Sequence, residues 1–308
     1  MDGHMEKVRR LLVLTLAAVL LVACTKSPAQ DLSARLTSEA RNLVHVYDLP
    51  GITVAIASPD GVISIAAGRA DREHDRAMSP ETTMLAASIG KTFVAATVLQ
   101  LCDEGRLDLD DPISKWLERW DWFADLPNAD TIRVRHLLQH TSGLPDHVHM
   151  DAFAQLGLNR AAELGPEGMV ALVLGTEPRF PAGAGWSYTD TGYLLLGLII
   201  EAETGRAFLS GGLLEPETFA QAIDGVVASD GDAMSFYGLG IAIRQESNWG
   251  TLYGHRGWIP GYVSSLQYYP DYDTAIAFQT NTDIGIIDSK DPVIMVIEER
   301  LAAVIFGE

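Results

Sequence analysis

The period of the apolar positions changes along the chain, and the changes mark out the fold. GITVAIAS (51–58) and GVISIAAG (61–68) are rich in β-branched residues and meet at Pro59-Asp60-Gly61. That pattern predicts a β-hairpin. Ahead of it, DLSARLTSEARNLVHVYDLP (31–50) has helical spacing and stops before Pro50. Behind it, AASIGKTFVAATVLQLCDEG (86–105) predicts a helix of about five turns ended by Gly105. From about Leu107 to Thr204 helical signals dominate. TIRVRHLLQHTSGLPD (131–146) reads as a helix closed by a Ser-Gly-Leu-Pro breaker, and TDTGYLLLGLIIEAETG (189–205) as a helix apolar enough to be buried. The last quarter returns to strands, in FYGLGIAIR, GTLYGH, YVSSLQYYP and DTAIAFQT. It closes with a helix over 291–306 whose first turn holds Pro292, where a missing N–H costs nothing. The expected class is α+β, with an antiparallel sheet built from both chain ends, flanking helices and a helical middle subdomain over about 107–204. No internal repeat or low-complexity tract interrupts it.

The first residues carry a different pattern. Lys7, Arg9 and Arg10 precede the apolar run LLVLTLAAVLLVA (11–23). The run is shorter than the roughly 20 residues needed to span a bilayer, so it reads as an export signal over residues 1–23. Asp2 weakens the basic region, which makes Met5 an alternative start. Leu21-Val22-Ala23-Cys24 looks like a bacterial lipobox, and that likeness implies a lipid on Cys24 and a membrane anchor facing the periplasm or exterior. Thr25 does not resemble an inner-membrane retention signal, which favours an outer membrane where one exists. TKSPAQ (25–30) then reads as a polar tether and 31–308 as the folded domain. With Cys24 lipidated, Cys102 has no disulfide partner and is expected to be a buried thiol. The net charge of −19 argues against a nucleic-acid partner, whose binding rests on Lys and Arg.

Composition leaves the chemistry open, but Ala86–Phe93 narrows it. Gly90-Lys91-Thr92 has the ending of a phosphate-binding loop, yet Leu85 stands where such a loop needs its first glycine. The same residues spell Ser88-Ile89-Gly90-Lys91, an S-x-x-K. At the start of a helix, Ser88 would have the positive end of the dipole beside it and Lys91 on the same face. A serine is a weak nucleophile until a neighbouring base takes its proton. About one S-x-x-K is expected by chance in a chain this long, so the match alone does not decide.

Two further motifs follow in order. Tyr188-Thr189-Asp190 opens the apolar helix, and His255-Arg256-Gly257 lies beside a late strand. With Ser88–Lys91 and the linking IRVRHLLQHTSGLPD, they resemble the serine β-lactamase and penicillin-binding protein superfamily. The likeness is to class C β-lactamases and D-alanyl-D-alanine carboxypeptidases, over about Leu49 to Phe306. It implies a β-lactamase/transpeptidase-like fold and an acyl-enzyme on Ser88. Lys91 would take the serine's proton or tune the base, and Tyr188 would serve as general base for acylation or deacylation. The N–H groups of Ser88 and Trp258 would form the oxyanion hole. Asp190, His255, Arg256 and Gly257 would touch substrate, with His255 on the far wall and Gly257 letting substrate approach the strand edge. The implied partner is a small molecule or peptide related to cell-wall peptides or β-lactams, with no cofactor and no metal.

The sequence also departs from that family. Asp190 replaces an asparagine, so its side chain donates no amide N–H to substrate and favours a charged Lys91. Arg256 either grips a substrate carboxylate in a bidentate contact or points to solvent. The stretch after Phe208 is shorter than the family's, which leaves open a reading as a scaffold that binds with little turnover. His140, His147 and His149 with Asp146 and Asp151 match no common zinc spacing. Trp116 and Trp120 share a helical face and read as core. Glu201 and Glu203 read as a solvated turn.

Overall fold

The structure, a computed structural model, describes residues 27–205, 226–228, 235–245, 247–289 and 292–307. The export signal, Cys24 and the shortened stretch after Phe208 lie outside the described residues.

The first helix, α1 (Pro28–Val46), starts inside the segment read as a tether. Ser27 accepts from the Gln30 N–H while the Gln30 side chain accepts from the Ser27 N–H, and Pro28 opens the first turn. Ser-Pro-x-Gln is thus a capping box followed by a favoured first-turn proline. Leu36, Ala40 and Leu43 recur at helical spacing and are buried.

The hairpin forms as read, with β1 (Gly51–Ser58) paired to β2 (Gly61–Asp71). A short β3 (Arg76–Ala77) extends β2. Among the described residues, strands β4 (Val226–Ala228), β5 (Ser235–Tyr237), β6 (Ala242–Arg244), β7 (Leu252–Ile259), β8 (Tyr262–Tyr269) and β9 (Thr274–Thr280) complete one nine-stranded sheet. Its order is β3-β2-β1-β9-β8-β7-β6-β5-β4, and every neighbouring pair is antiparallel. The β1–β9 pairing, Ile52 opposite Thr280, is where the two chain ends meet. FYGLGIAIR splits into β5 and β6 because Gly240 turns the chain at a positive φ of 75°.

Between β3 and β4 lie the helices α2 (Gly90–Asp103), α3 (Ser114–Leu117), α4 (Val134–Leu138), α5 (Asp151–Val170) and α6 (Thr191–Thr204). The helix read over 131–146 shrinks to the five residues of α4, because His140 turns left-handed at φ 59° just after it. Helix α6 keeps its length and ends at Gly205, left-handed at φ 67°, as a glycine after the last turn does. A last helix, α7 (Val293–Phe306), begins just after Pro292.

Among the described residues two apolar cores result. One joins the helices through Leu99, Leu117, Ile132, Leu138, Leu196 and Ile199, with Trp116 among them. The other joins α1 and α7 to the sheet through Leu36, Leu43, Val54, Phe278, Ile297 and Leu301. Each Leu or Ile buried in this way contributes about 1.5–3 kcal/mol. Glu203 is not solvated: it accepts from Trp116 Nε1 at 3.0 Å and pairs with Arg106.

The sheet has two chemically distinct faces, and β7 shows why. Alternate residues of a strand face opposite sides. His255 and Gly257 face the helical core, so Arg256 faces α7. There Arg256 makes a bidentate pair with Glu298, at 2.9 Å from Nε and 2.6 Å from Nη2. Glu298 is buried, and Arg244, Ser265 and Gln267 also donate to it. The expected contact of Arg256 with substrate is therefore corrected: its guanidinium is anchored on the other side of the sheet.

Arg256→Ala leaves a buried carboxylate with fewer donors. Losing a whole partner of a buried pair costs about 3–5 kcal/mol, and with Arg244 still in place about 2 kcal/mol is expected here. Chemical denaturation should read that loss while kcat/KM for a neutral ester stays within twofold of wild type. A large loss of activity in a folded variant would return Arg256 to the cleft.

Candidate active site

Ser88 sits in a single turn of 3-10 helix, Ala87–Ile89, that leads into α2. Ala87 takes a positive φ of 50°, a strained conformation for a residue with a side chain. Two contacts from the sheet hold that turn. Ser264 of β8 donates from Oγ to the Ala86 carbonyl at 2.8 Å. Gly257 of β7 lies beneath the same carbonyl: a Cβ there would stand 2.3 Å from Ala86 O and 3.2 Å from Ala87 Cβ. The glycine of the third motif thus makes room for the serine's own turn.

Lys91, one turn along, donates to Ser88 Oγ at 3.2 Å. It is buried at 7% exposure, and its ammonium is ion-paired with the Asp190 carboxylate. The ammonium also lies 4.8 Å from the Tyr188 ring centre and 5.5 Å from that of Tyr193. Burial works against the charge on Lys91. The facing Tyr188 and Asp190 oxygens outweigh it and raise the lysine above its ordinary value. Burial likewise pushes the Tyr188 phenol up, against the pull of Lys91. The Tyr188 hydroxyl is buried beside Lys91 and Ser88. At neutral pH the resting pair is ammonium and phenol.

The second motif is held from α4 and the loop after it. His140, fully buried, packs against Tyr188 with ring centres 4.3 Å apart and the planes tilted by 35°. Its Nδ1 accepts from the Thr189 N–H at 3.2 Å, which fixes the proton on Nε2. Asp146 accepts from the Asp190 N–H at 3.2 Å and is also buried. Burial, followed by the charge of Asp190, raises its carboxyl. The histidines read as a possible metal cluster are therefore divided: His140 packs under Tyr188, whereas His147 and His149 flank Asp146. Among the described residues no group of three or more His, Cys, Asp or Glu is placed to hold a metal ion.

His255 closes the far side. It is buried, its Nε2 is 2.9 Å from the Tyr237 hydroxyl, and Nδ1 bonds the Arg256 carbonyl. Burial pushes it down to about 4, so it is neutral at physiological pH. Trp258 lies next in β7 with its ring half exposed, and its Nε1 donates to Asp283 at 3.0 Å. The fold thus brings Ser88, Lys91, Tyr188, Asp190 and His255 into one cluster beside Gly257 and leaves Arg256 outside it. Sequence reasoning missed Ser264, His140 and Asp146 as supports. His140 and Asp146 stand in the HTSGLPD signature itself, and Ser264 is a small polar residue on the buried face of a strand.

This arrangement of elements and motifs matches known proteins. The Beta-lactamase family model matches residues 36–211, more than half of the chain. The chain belongs to the Beta-lactamase family. Penicillin-binding protein 4* of Bacillus subtilis is 29% identical over 164 residues, which cover 53% of this chain and 34% of that relative. Esterase EstB of Burkholderia gladioli is 32% identical over 186 residues, 58% of this chain and 47% of that relative. The matches to these two curated family members thus span a third to a half of their length. Among solved structures, the D-amino acid amidase of Ochrobactrum anthropi SV3 superposes with a TM-score of 0.75 at 20% identity, over 90% of this chain and 99% of that one. A D-stereospecific amidohydrolase from Streptomyces sp. gives 0.70 at 22% identity, over 89% and 98%. At these identities the likeness establishes the β-lactamase/transpeptidase-like fold.

Gly257→Ala tests how the family member holds its serine. The added methyl cannot fit under Ala86, so the Ser88 turn must shift. A misplacement of about 1 Å costs on the order of 100-fold in rate. Ester turnover is expected to fall by at least tenfold, with circular dichroism unchanged. Full activity would show that the turn does not rest on Gly257.

Proposed function

We propose that this chain is an exported, lipid-anchored serine hydrolase that forms an acyl-enzyme on Ser88. Its substrates are amides or esters of D-alanyl-peptide-like acyl groups, with β-lactams as the related class. The observation that carries this reading is the 3.2 Å contact between Ser88 Oγ and a buried lysine, with the buried Tyr188 hydroxyl beside them. The esterase and penicillin-binding relatives lend it support.

In this reading Ser88 Oγ bonds to the substrate carbonyl carbon, and its proton passes to the Lys91–Tyr188 pair. The N–H groups of Ser88 and Trp258 receive the oxyanion, each worth about 3 kcal/mol in such sites. The pair returns the proton to the departing amine or alcohol, and water then releases the acyl group. Trp258 follows Gly257 on the strand that carries the Ser88 turn, which suits the paired role. Anchoring through Cys24 would hold the enzyme on a bacterial membrane facing outward.

A neutral fluorophosphonate probe is expected to label the wild-type protein covalently and to leave Ser88→Ala unlabelled. Folded wild-type protein that takes no label would overturn the reading.

The pH profile follows from the resting protonation. The pair must shed a proton before it can accept one from Ser88, and Lys91 is raised, so kcat/KM for a neutral ester rises with pH above neutrality. Asp190→Asn removes the negative charge that favours the ammonium, so the rising limb should move to lower pH. A limb that stays in place would detach Asp190 from the base.

A second reading draws on the same ion pair. With Lys91 held as an ammonium, the chain could acylate slowly and act as a penicillin-binding sensor. A chromogenic ester separates the two: a burst followed by negligible steady turnover favours the sensor, and sustained turnover favours the hydrolase.

A further inference from the structure

The charges that the three motifs supply are accounted for by the geometry. Lys91 is neutralised by Asp190. His255 is buried and neutral, with both ring nitrogens engaged by Tyr237 and the Arg256 carbonyl. Arg256 is turned through the sheet to Glu298. His140 and His147 are buried, and burial lowers both, so they add no charge at neutral pH. No motif cation remains to receive a substrate carboxylate.

What remains open is a carboxylate. Lys91 shows 8% of its side chain to solvent, whereas Asp190 shows 34%. The lysine therefore fills the inner side of the pair and Asp190 the outer. One Asp190 oxygen, Oδ1, is taken by Lys91; Oδ2 makes no hydrogen bond among the described residues. Backbone N–H donation to Asp146 fixes the start of α6, so the carboxylate is held in place next to the lysine that contacts Ser88. A carboxylate accepts hydrogen bonds and donates none, so its open oxygen suits an ammonium and offers nothing to a second carboxylate.

We infer that Asp190 selects substrates that carry an ammonium group next to the scissile carbonyl and disfavours those that carry a carboxylate there. The inference rests on the serine-hydrolase reading and narrows its substrate class. The favoured acyl group is a free amino-acyl unit, an amide or ester of an amino acid or of a peptide with a free amino end. Acyl groups capped with an acid are rejected.

The test compares three p-nitroanilides of D-alanine: the free amine, the N-acetyl form and the N-succinyl form. They are cationic, neutral and anionic at pH 7, where an α-amino group of pKa about 7.7–8.0 is mostly protonated. Wild-type kcat/KM is expected to fall in that order, with at least tenfold between the first and last. Asp190→Asn should reduce that ratio at least tenfold, and Asp190→Glu, which keeps the charge, should preserve the order. The preference should also shrink as salt is raised, which a purely steric role would not produce.

A wild-type preference for the succinyl substrate, or a ratio unchanged in Asp190→Asn, would overturn the inference. Binding separates its failure from that of the hydrolase reading. On Ser88→Ala protein, D-phenylalanine amide is expected to bind at least tenfold tighter than its N-succinyl counterpart. If the fluorophosphonate labels Ser88 but no charge preference appears in turnover or binding, the inference fails and the hydrolase stands. If the serine takes no label and the binding preference persists, the hydrolase fails and the charge selection stands.

Discussion

A buried ammonium has to be compensated, and the Lys91–Asp190 pair is how this fold does it. Taking an isolated charge out of water costs several kcal/mol even after relaxation. Lys91 comes from α2 and Asp190 from the residue before α6, so the compensation ties two helices together directly beneath Ser88. The backbone N–H of Asp190 is tied to Asp146 in turn, and His140 holds the neighbouring Thr189 N–H. The loop after α4, the start of α6 and the serine turn are thus one connected polar structure. Its charges keep the lysine beside Ser88 protonated.

The sheet supplies the second constraint. Strand alternation sends His255 and Gly257 toward the helices and Arg256 toward α7. The two faces then do different work: one carries the serine turn on Gly257 and Ser264, the other buries an Arg–Glu network against the terminal helix. An arginine inside a three-residue motif is easily read as a binding group, but the residues on either side of it face the serine turn and the second motif.

Local signals made much of this legible. Pro59-Asp60-Gly61 made the hairpin readable, the apolar run closed by Gly205 made α6 readable, and the order of the three motifs pointed to the family. Several elements were not legible because they depend on partners distant in sequence. The helix expected over 131–146 carried the right apolar spacing, yet His140 is left-handed and packs against Tyr188, and the helix ends at Leu138. Ser264 looks like any small residue in a strand until its bond to Ala86 is seen, 178 positions away in the chain. The Ser27–Gln30 capping box was present in the sequence and was obscured by the polar composition around it. The meaning of Asp190 was half legible: that it would favour a charged lysine could be read from the residues, but that its second oxygen makes no hydrogen bond among the described residues could not.

The central claim is that Asp190 holds Lys91 as an ammonium at the reactive serine. The chain contains only five lysines, so nitrogen-15 labelling of lysine permits Lys91 Nζ to be followed by NMR as pH is varied. The account predicts that Lys91 titrates above the ordinary lysine value in the wild-type protein and at lower pH in Asp190→Asn. A Lys91 that is already neutral at neutral pH, or one whose titration ignores the Asp190 substitution, would contradict it.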